Sequence, residues 1–290
     1  MNGLKVVFLM TLLMVIFMAI GYMLGGQQGM IIAFALAAVM NFVSYWFSDK
    51  MVLKMYRARE VTERDIPKLY RAVKRVVQAD PDGQKPMPRV YPVPSKAPNA
   101  FATGRNRDHA AIAATEGILE ILTDAELEGV MAHELSHIKN HDMLIGTIAA
   151  TFAGAIGILA SMARWGAIMG GYGRDGERQG GLALLVTALV APLMAMVIQM
   201  AISRQREYRA DREGGRISGR YLELASALQK LHQSPNRLQL DARPATANLM
   251  IANPLSGKGL ASLFSTHPPV EERVKRLKQL AEKAPYSYAG

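Results

Sequence analysis

The 290-residue sequence contains no cysteine. Disulfide bonds and thiolate-ligated metal sites are therefore excluded, which leaves histidine, aspartate and glutamate as the strong metal ligands of the chain. The absence of cysteine also suits a protein that works in a reducing compartment. A chain of this length is long enough to form one or two domains with a proper core.

Charged residues are absent between Lys5 and Asp49. Two apolar segments of this stretch, residues 6–24 and 29–47, are each long enough to cross a bilayer, and the Gly-Gly-Gln-Gln run at 25–28 predicts a tight turn between them. The first segment alone would also fit a signal peptide. Because a second apolar segment follows at once, and no small-residue cleavage site precedes a soluble region, we predict a retained membrane hairpin.

Lysine and arginine are in excess, which gives the chain a formal net charge of +10. Such an excess can indicate nucleic-acid binding, but these residues concentrate beside apolar segments and form no recognised nucleic-acid module, so no nucleic-acid partner is expected. The turn of the hairpin carries no charge, whereas four basic residues follow the second segment: Lys50, Lys54, Arg57 and Arg59. By the positive-inside rule, the N-terminus and the chain after Asp49 are expected to be cytoplasmic.

Two further uncharged segments, residues 143–163 and 182–203, predict a second membrane hairpin and therefore four transmembrane helices in all. A wholly buried helical hairpin of a soluble domain is the alternative interpretation. The loop between the two segments contains a G-x-G-x-x-G pattern at 171–176. It follows no strand and precedes an apolar segment, so dinucleotide binding is not expected.

The rest of the chain is water-soluble in character and predicts several helices and a small sheet. Amphipathic spacing predicts helices at residues 64–77, 221–231 and 268–282. Short β-type runs predict strands at residues 89–93, 99–103 and 110–114. The expected fold class is α+β and predominantly helical. In chain order we expect a transmembrane hairpin, a cytoplasmic part, a second hairpin and a second cytoplasmic part, at residues 1–48, 49–142, 143–203 and 204–290.

Residues 133–137 read His-Glu-x-x-His within a predicted helix that begins with the capping-box pattern of Thr123 and Glu126. The four-residue spacing puts His133 and His137 on one helix face, one turn apart, so both imidazoles can reach a single zinc ion. Glu134 is rotated by about 100° from His133 and can hold the attacking water as a general base. The alternative is two histidines on a helix surface beside a capped glutamate.

A zinc site of this kind needs a third protein ligand, and Glu207 is the best candidate. Asp211 lies one turn later on the same helix face, where it can orient a ligand imidazole. The alternative is an acidic pair that neutralises neighbouring arginines on a solvated face. His141, one turn beyond His137, can approach the metal but fits a solvated or supporting histidine better.

The predicted second hairpin brings His137 and Glu207 to one membrane surface. A pair of spans returns the chain to the side that it left, so ligands before and after the pair can meet. Helix rise places the metal within about 10 Å of the start of the hydrocarbon. Polypeptides emerging from the bilayer would then meet the metal before freely diffusing proteins do.

The His133–His137 motif, the membrane hairpin and the Glu207-x-x-x-Asp211 pattern together resemble the HtpX group of membrane zinc metallopeptidases, relatives of the CAAX prenyl endopeptidase. The runs Asn-Ala-Phe-Ala-Thr-Gly at 99–104 and Thr-His-Pro-Pro at 266–269 are similar to stretches of that family. The resemblance covers essentially the whole chain. It implies a gluzincin-like peptidase domain and a multi-pass location in the bacterial inner membrane, with both termini and the active site cytoplasmic.

The resemblance also implies one zinc ion per chain, held by His133, His137 and Glu207. It makes Glu134 the general base and Asp211 the partner of a ligand histidine. The implied activity is endopeptidase cleavage of misfolded or damaged membrane proteins, so unfolded or membrane polypeptides and the lipid bilayer are the expected partners, while the oligomeric state stays open. A non-catalytic zinc-binding scaffold or holdase in the membrane is the alternative function.

Two further assignments follow from the resemblance. It implies an edge strand that holds the substrate backbone, at Asn99, Ala100, Phe101 and Ala102, with an ordinary edge or interior strand as the alternative. No donor for the oxyanion is evident from the sequence. His267 is a candidate, with a cap or turn histidine as the alternative, and Tyr208 and Arg206 are weaker candidates.

Overall fold

A computed structural model describes residues 2–81, 86–144, 204–234 and 268–284, which form a mostly helical protein with one small sheet. Its helices are α1 (Asn2–Met55), α2 (Pro67–Ala79), α3 (Glu116–Ile121), α4 (Asp124–Lys139), α5 (Arg204–Ser218), α6 (Tyr221–Gln233) and α7 (Val270–Lys283). Its strands are β1 (Arg89–Val93), β2 (Ala100–Gly104) and β3 (Ala110–Thr115). Residues 145–203, which hold most of the predicted second hairpin and the 171–176 loop, lie outside the described residues, as does His267.

Helix α1 is a hairpin, because its helical geometry breaks at Gly25 and Gly26, within the predicted turn. Gly26 has a φ of 57°, which glycine adopts without a steric cost. The two limbs pack closely at Gly21, where an added Cβ would clash with the Ala33 side chain. The structure therefore shows a helical hairpin with its turn at the predicted position, while its insertion in a membrane stays a prediction.

Membrane-spanning character is found in one helical segment of the described residues, Gly25–Phe47, which is long and apolar enough to cross a bilayer. The first limb contains a shorter apolar segment, Val6–Tyr22. Only 17% of the most apolar window of the longer segment is buried inside the protein, as expected for a helix that faces lipid. The arrangement of four transmembrane helices stays a prediction.

The sheet has the strand order β1-β3-β2, with β1 parallel and β2 antiparallel to β3. All three strands lie within one residue of their predicted bounds, and β2 begins at Ala100, one residue after the predicted start. Among the described strands β2 pairs only with β3, so it is an edge strand. Its side chains alternate between two apolar clusters, with Ala100 and Ala102 in one and Phe101 in the other.

The two faces of the sheet pack against different elements. One face joins the main core with α2 and α4, through residues such as Ile112, Leu127 and Val130. The other face packs on the C-terminal end of α1, where Val52 and Leu53 are buried. The C-terminal end of α1, beyond the apolar Gly25–Phe47 segment, is thus anchored directly to the sheet, which fixes the position of the sheet and α4 relative to the N-terminal hairpin.

Helix α4 lies at the centre of the molecule and packs against α2, α5, α6 and the sheet. Its closest approach is to α5, where an added Cβ on Gly214 would lie 2.8 Å from the His133 backbone nitrogen. The absence of a side chain at this position therefore lets the backbones of the two helices approach each other. Helix α2 begins at Pro67, three residues after the predicted start, because proline favours the first helical turn.

Candidate metal centre

The N-terminus of α4 forms the predicted capping box. The Thr123 hydroxyl accepts a hydrogen bond from the Glu126 backbone nitrogen at 3.3 Å, and the Glu126 carboxylate accepts one from the Thr123 nitrogen at 2.9 Å. Ser226 and Lys230 of α6 also donate to Glu126, each at 2.7 Å. Burial alone would raise the pKa of Glu126, but the hydrogen bonds from Lys230 and the other donors lower it to about 2.

The two histidines of α4 point their Nε2 atoms at a common position. These atoms of His133 and His137 lie 3.2 Å apart, and the two rings are nearly perpendicular, at 87°. The Glu207 carboxylate of α5 completes the group, with one oxygen 3.6 Å from His133 Nε2 and the other 3.6 Å from His137 Nε2. The structure therefore brings together the three residues that the sequence singled out as metal ligands.

The spacing of these three donors fits one tetrahedral zinc ion. Zinc–nitrogen bonds of about 2.0–2.1 Å imply that neighbouring ligand atoms lie about 3.3 Å apart. The observed separations of 3.2, 3.6 and 3.6 Å are close to this value. Two histidines and a glutamate are also a donor set that catalytic zinc sites use.

Carboxylates stand behind both imidazoles. Asp211 lies 3.0 Å from His133 Nδ1, and Asp142 lies 3.3 Å from His137 Nδ1. A carboxylate at Nδ1 holds the proton there and directs Nε2 towards the metal position. The sequence predicted Asp211 for this role but did not identify Asp142, which directly precedes the apolar segment 143–163.

Arg273 of α7 is a fully buried member of the site that sequence reasoning also missed. Its Nε and Nη2 atoms donate to the two oxygens of Asp211 at 2.8 and 2.7 Å. Its Nη1 atom lies 3.8 Å from a Glu207 oxygen. One feature of the sequence could have identified it. Position 273 lies on the helix face that Val270, Val274 and Leu277 turn towards the core. An unpaired charge there would be costly, so an arginine at this position indicates a buried acidic partner.

The buried charges influence one another strongly. Burial lowers the pKa of His133, but the nearby carboxylates of Asp211 and Glu207 outweigh burial and raise this pKa to about 9. Burial raises the pKa of Asp211, yet the Arg273 charge, its hydrogen bonds and the His133 contact lower it to about 2. The carboxylates thus give the imidazole cluster an environment that favours a bound cation.

Glu134, the predicted general base, is buried on α4 next to His133, one of the two predicted ligand histidines. Its negative charge is among the interactions that raise the pKa of Arg273, which places it in the same group of charges. The residue therefore belongs to the site and does not lie on a solvated helix face. The alternative of two surface histidines is excluded on the same ground, since His133 is 1% exposed.

Polar contacts fix α4 against α5 beside the cluster. The Glu213 carboxylate accepts hydrogen bonds from Ser136 Oγ at 3.0 Å and from Asn140 Nδ2 at 2.9 Å. Together with the close approach at Gly214, these contacts set the register between the histidines of one helix and Glu207 of the other. None of them is local in sequence, so no motif predicted them.

The remaining candidates fall in different places. Helix α4 ends at Lys139, so His141 is not on the same helix; it is exposed, has a φ of 55° and lies outside the ligand group. Tyr208 is engaged elsewhere, since its ring lies 3.8 Å from the Arg276 guanidinium. Arg206 lies near Asp142 and Glu207. Burial lowers the pKa of its guanidinium, and the charges of these two carboxylates offset only part of that effect.

Among the described residues, no strand pairs with the outer edge of the predicted substrate strand. Asn99 accepts a hydrogen bond from the Thr115 nitrogen at 2.9 Å, which makes this a hydrogen-bonded pair of the β2–β3 ladder. In an antiparallel ladder the direction of the backbone N–H and C=O groups alternates from residue to residue, so the backbone groups of Phe101 also point towards β3. The backbone groups of Ala100 and Ala102 then point away from β3, towards the edge.

Comparisons with known proteins agree with this geometry. The family model described as Peptidase family M48 matches residues 63–281. A relative named Protease HtpX homolog, from Desulforapulum autotrophicum, is 54% identical over 280 residues, which cover 96% of this chain and 89% of the relative. A second with the same name, from Thermodesulfovibrio yellowstonii, is 51% identical over 284 residues, which cover 98% of this chain and all of the relative.

A solved structure shows similarity of fold. The crystal structure of S. mikatae Ste24p superposes with a TM-score of 0.51 at 18% sequence identity. The match covers 95% of this chain and 62% of that chain. At this identity, the match concerns the fold alone.

Proposed function

The chain belongs to peptidase family M48 and is a membrane zinc metalloprotease, and from this premise we propose that it cleaves misfolded or damaged membrane proteins at the cytoplasmic surface of the bacterial inner membrane. The observation that carries the proposal is that two imidazoles of α4 and a carboxylate of α5 meet at one position. That donor set has the geometry and the buried general-base candidate that peptide hydrolysis needs.

In the proposed site, His133, His137 and Glu207 hold one zinc ion per chain. The near-equal separations of their donor atoms support this assignment. Asp211 and Asp142 keep the two imidazoles in the tautomer that presents Nε2, and Arg273 neutralises Asp211.

Zinc at such a site acts as a Lewis acid that polarises a peptide carbonyl and makes water more acidic. Glu134 takes a proton from the attacking water and delivers it to the nitrogen of the departing amine, so the carboxylate is regenerated. Burial of Glu134 supports this role, since it keeps the carboxylate within the site and not on a solvated helix face. The donor to the oxyanion stays a proposal, with His267 as the candidate that the resemblance supplies.

The outer edge of β2 is the proposed binding strand for the substrate backbone. The outward N–H and C=O groups of Ala100 and Ala102 can pair with an extended polypeptide. Pairing through the backbone reads few side chains, which suits a protease that accepts many unfolded sequences. The strand packs directly on α4, so a bound polypeptide would run beside the metal centre.

The proposed arrangement in the membrane keeps the four parts expected from the sequence: residues 1–48 and 143–203 as transmembrane hairpins, and residues 49–142 and 204–290 as the two cytoplasmic halves of the catalytic part. The N-terminal hairpin and its basic C-terminal flank support the cytoplasmic orientation. The family similarity spans both halves.

Metal content measured together with proteolysis in mild detergent tests this function. The purified chain is expected to contain close to one zinc per molecule and to degrade an unfolded protein such as casein, and a chelator should abolish the degradation. Zinc without chelator-sensitive cleavage would favour the scaffold or holdase instead.

A further inference from the structure

A cavity of about 800 Å³ lies between the C-terminal end of α1 and strand β1, away from the metal centre. Its volume falls in the range of ligand-binding pockets, about 300–1,000 Å³. Basic residues dominate the charged part of its lining: Lys50, Lys54, Arg57, Arg59 and Arg89. Glu116 is the one acidic residue among the lining residues.

Among the described residues, most of these cations have no acidic partner. Asp49 forms an ion pair with Arg89 at 2.8 Å. The acidic lining residue, Glu116, lies 3.8 Å from Lys96, which is outside the lining. Within the described part of the chain, no carboxylate forms an ion pair with any of the other four lining cations. All four are exposed, so the cavity presents several uncompensated positive charges to a ligand.

Arg57 holds an unusual backbone conformation at the cavity. Its nitrogen donates to the Lys54 carbonyl at 3.1 Å, and the Ala58 nitrogen donates to the Leu53 carbonyl at 2.9 Å. This is the Schellman arrangement that ends many helices, in which the residue at the Arg57 position is usually glycine because φ is positive. Arg57 has a φ of 53°. An arginine at this position incurs a steric cost that glycine would avoid. The turn itself therefore does not account for the arginine, whereas binding of a ligand by its guanidinium would.

The cavity begins where the apolar helix ends. Lys50 is three residues beyond Phe47, or about 4.5 Å along the helix, and Lys54 is about 10 Å beyond it. Lipid headgroups occupy about 5–8 Å on each side of the hydrocarbon. Trp46 and Phe47 are exposed at the same level, as aromatic residues at a membrane interface commonly are. Lys50 therefore lies at the headgroup layer, and the long side chains of the cations beyond it can extend back into this layer, so the cavity opens at the depth of the lipid phosphates.

We propose that this cavity binds the phosphate headgroup of an anionic phospholipid. The inference rests on the proposed membrane placement of α1, but not on peptide hydrolysis. Lys54 and Arg57 bind the phosphate, and the apolar Gly25–Phe47 segment lies alongside the acyl chains. Because Arg89 and Tyr91 belong to β1, the bound lipid would also contact the sheet that carries the proposed substrate strand.

A lipid titration of the full-length chain in mild detergent tests the proposal, with Glu134→Gln as the background so that proteolysis plays no part. The ligands are phosphatidylglycerol, zwitterionic phosphatidylcholine and inorganic phosphate, and bound lipid is counted by native mass spectrometry. Phosphatidylglycerol is expected to bind more tightly than phosphatidylcholine. The double variant Lys54→Gln, Arg57→Gly should weaken phosphatidylglycerol binding about 25-fold, or about fivefold for each lost cation.

The matched control is Lys275→Gln, Lys278→Gln, which removes two exposed cations from α7 and should leave the affinity unchanged. Arg57→Gly relieves the left-handed conformation, so the double variant should keep or raise its melting temperature and any loss of lipid cannot be attributed to unfolding. Wild-type affinity in the double variant, or an equal loss in the control, would overturn the proposal. If inorganic phosphate displaces the lipid at equal concentration, the site takes a free anion and the lipid assignment is wrong.

Discussion

Arg273 shows how the metal centre depends on a residue that no motif contains. Its guanidinium is the main charge that offsets Asp211, and Asp211 in turn orients His133. Removing one partner of a buried ion pair typically costs about 3–5 kcal/mol, because the remaining charge is left without compensation. The geometry of His133 thus depends on a helix about 140 residues later in the chain.

We therefore predict that Arg273→Met lowers zinc affinity by about 10- to 100-fold, as loss of an outer partner of a metal ligand commonly does. The measurement is zinc competition with a chromophoric chelator, together with the melting temperature of the metal-free protein. Arg276→Met, one turn away and exposed, is the control and should keep wild-type affinity. Wild-type zinc affinity in Arg273→Met would show that Asp211 does not need this charge.

Glu126 predicts a pH dependence of stability. Its pKa is about 2 in the folded protein, below the ordinary value of 4.5, so its stabilising contribution is present above pH 4.5 and is lost as pH falls through 2. Glu126→Gln should lower the melting temperature at pH 7, and its difference from the wild type should narrow as the pH falls below 4.5. Glu120→Gln, an exposed residue on α3, is the control and should show little difference at either pH. A deficit in Glu126→Gln that does not change with pH would contradict the assignment.

At the scale of elements, the site depends on the contact between α4 and α5. An added Cβ on Gly214 would lie 2.8 Å from the His133 nitrogen and 2.9 Å from its Cα, and these are backbone atoms that cannot rotate away. Gly214→Ala should push the helices apart, separate Glu207 from the histidines, and lower both zinc content and proteolysis. Gly215→Ala is the matched comparison, because its Cβ would meet the Tyr221 side chain, which can move. Equal zinc loss in both variants would show that the spacing of α4 and α5 is not what matters.

The elements also show what the sequence can and cannot predict. The capping box at Thr123, the period of α4 and the apolar runs of the strands are local patterns, and the structure confirms them within a few residues. His141 was placed on α4 by extending the helical period, but the helix ends at Lys139. The ladder order of the sheet, the Glu213 contacts and the role of Arg273 depend on residues far apart in the chain, and no local pattern encodes them.

At the scale of the whole molecule, the attachment of the sheet to the end of α1 supports the proposal that the site lies near the membrane surface. The Phe101 ring lies 5.1 Å from the Tyr56 ring, and Val52 and Leu53 are buried against the same sheet face. In the proposed membrane arrangement, this attachment holds the catalytic part close to the lipid and puts the basic cavity at the membrane interface. This placement is consistent with substrates that enter from the bilayer.

The cysteine-free chain makes the orientation directly measurable. Gln27 is exposed at the turn of the N-terminal hairpin, and Lys275 is exposed on α7. In intact cells, a membrane-impermeant maleimide should label Gln27→Cys but not Lys275→Cys, and cell lysis should expose the second. The reverse pattern, or labelling of both in intact cells, would place the catalytic part on the outer side.

The most direct test of the central claim is the zinc content of two purified variants, measured beside their proteolytic activity. Glu134→Gln should keep close to one zinc per chain and lose nearly all cleavage of casein, because the carboxylate handles the proton but does not hold the metal. Glu207→Ala should lose both zinc and activity. Full zinc occupancy and activity in Glu207→Ala would remove this carboxylate from the site and contradict the account.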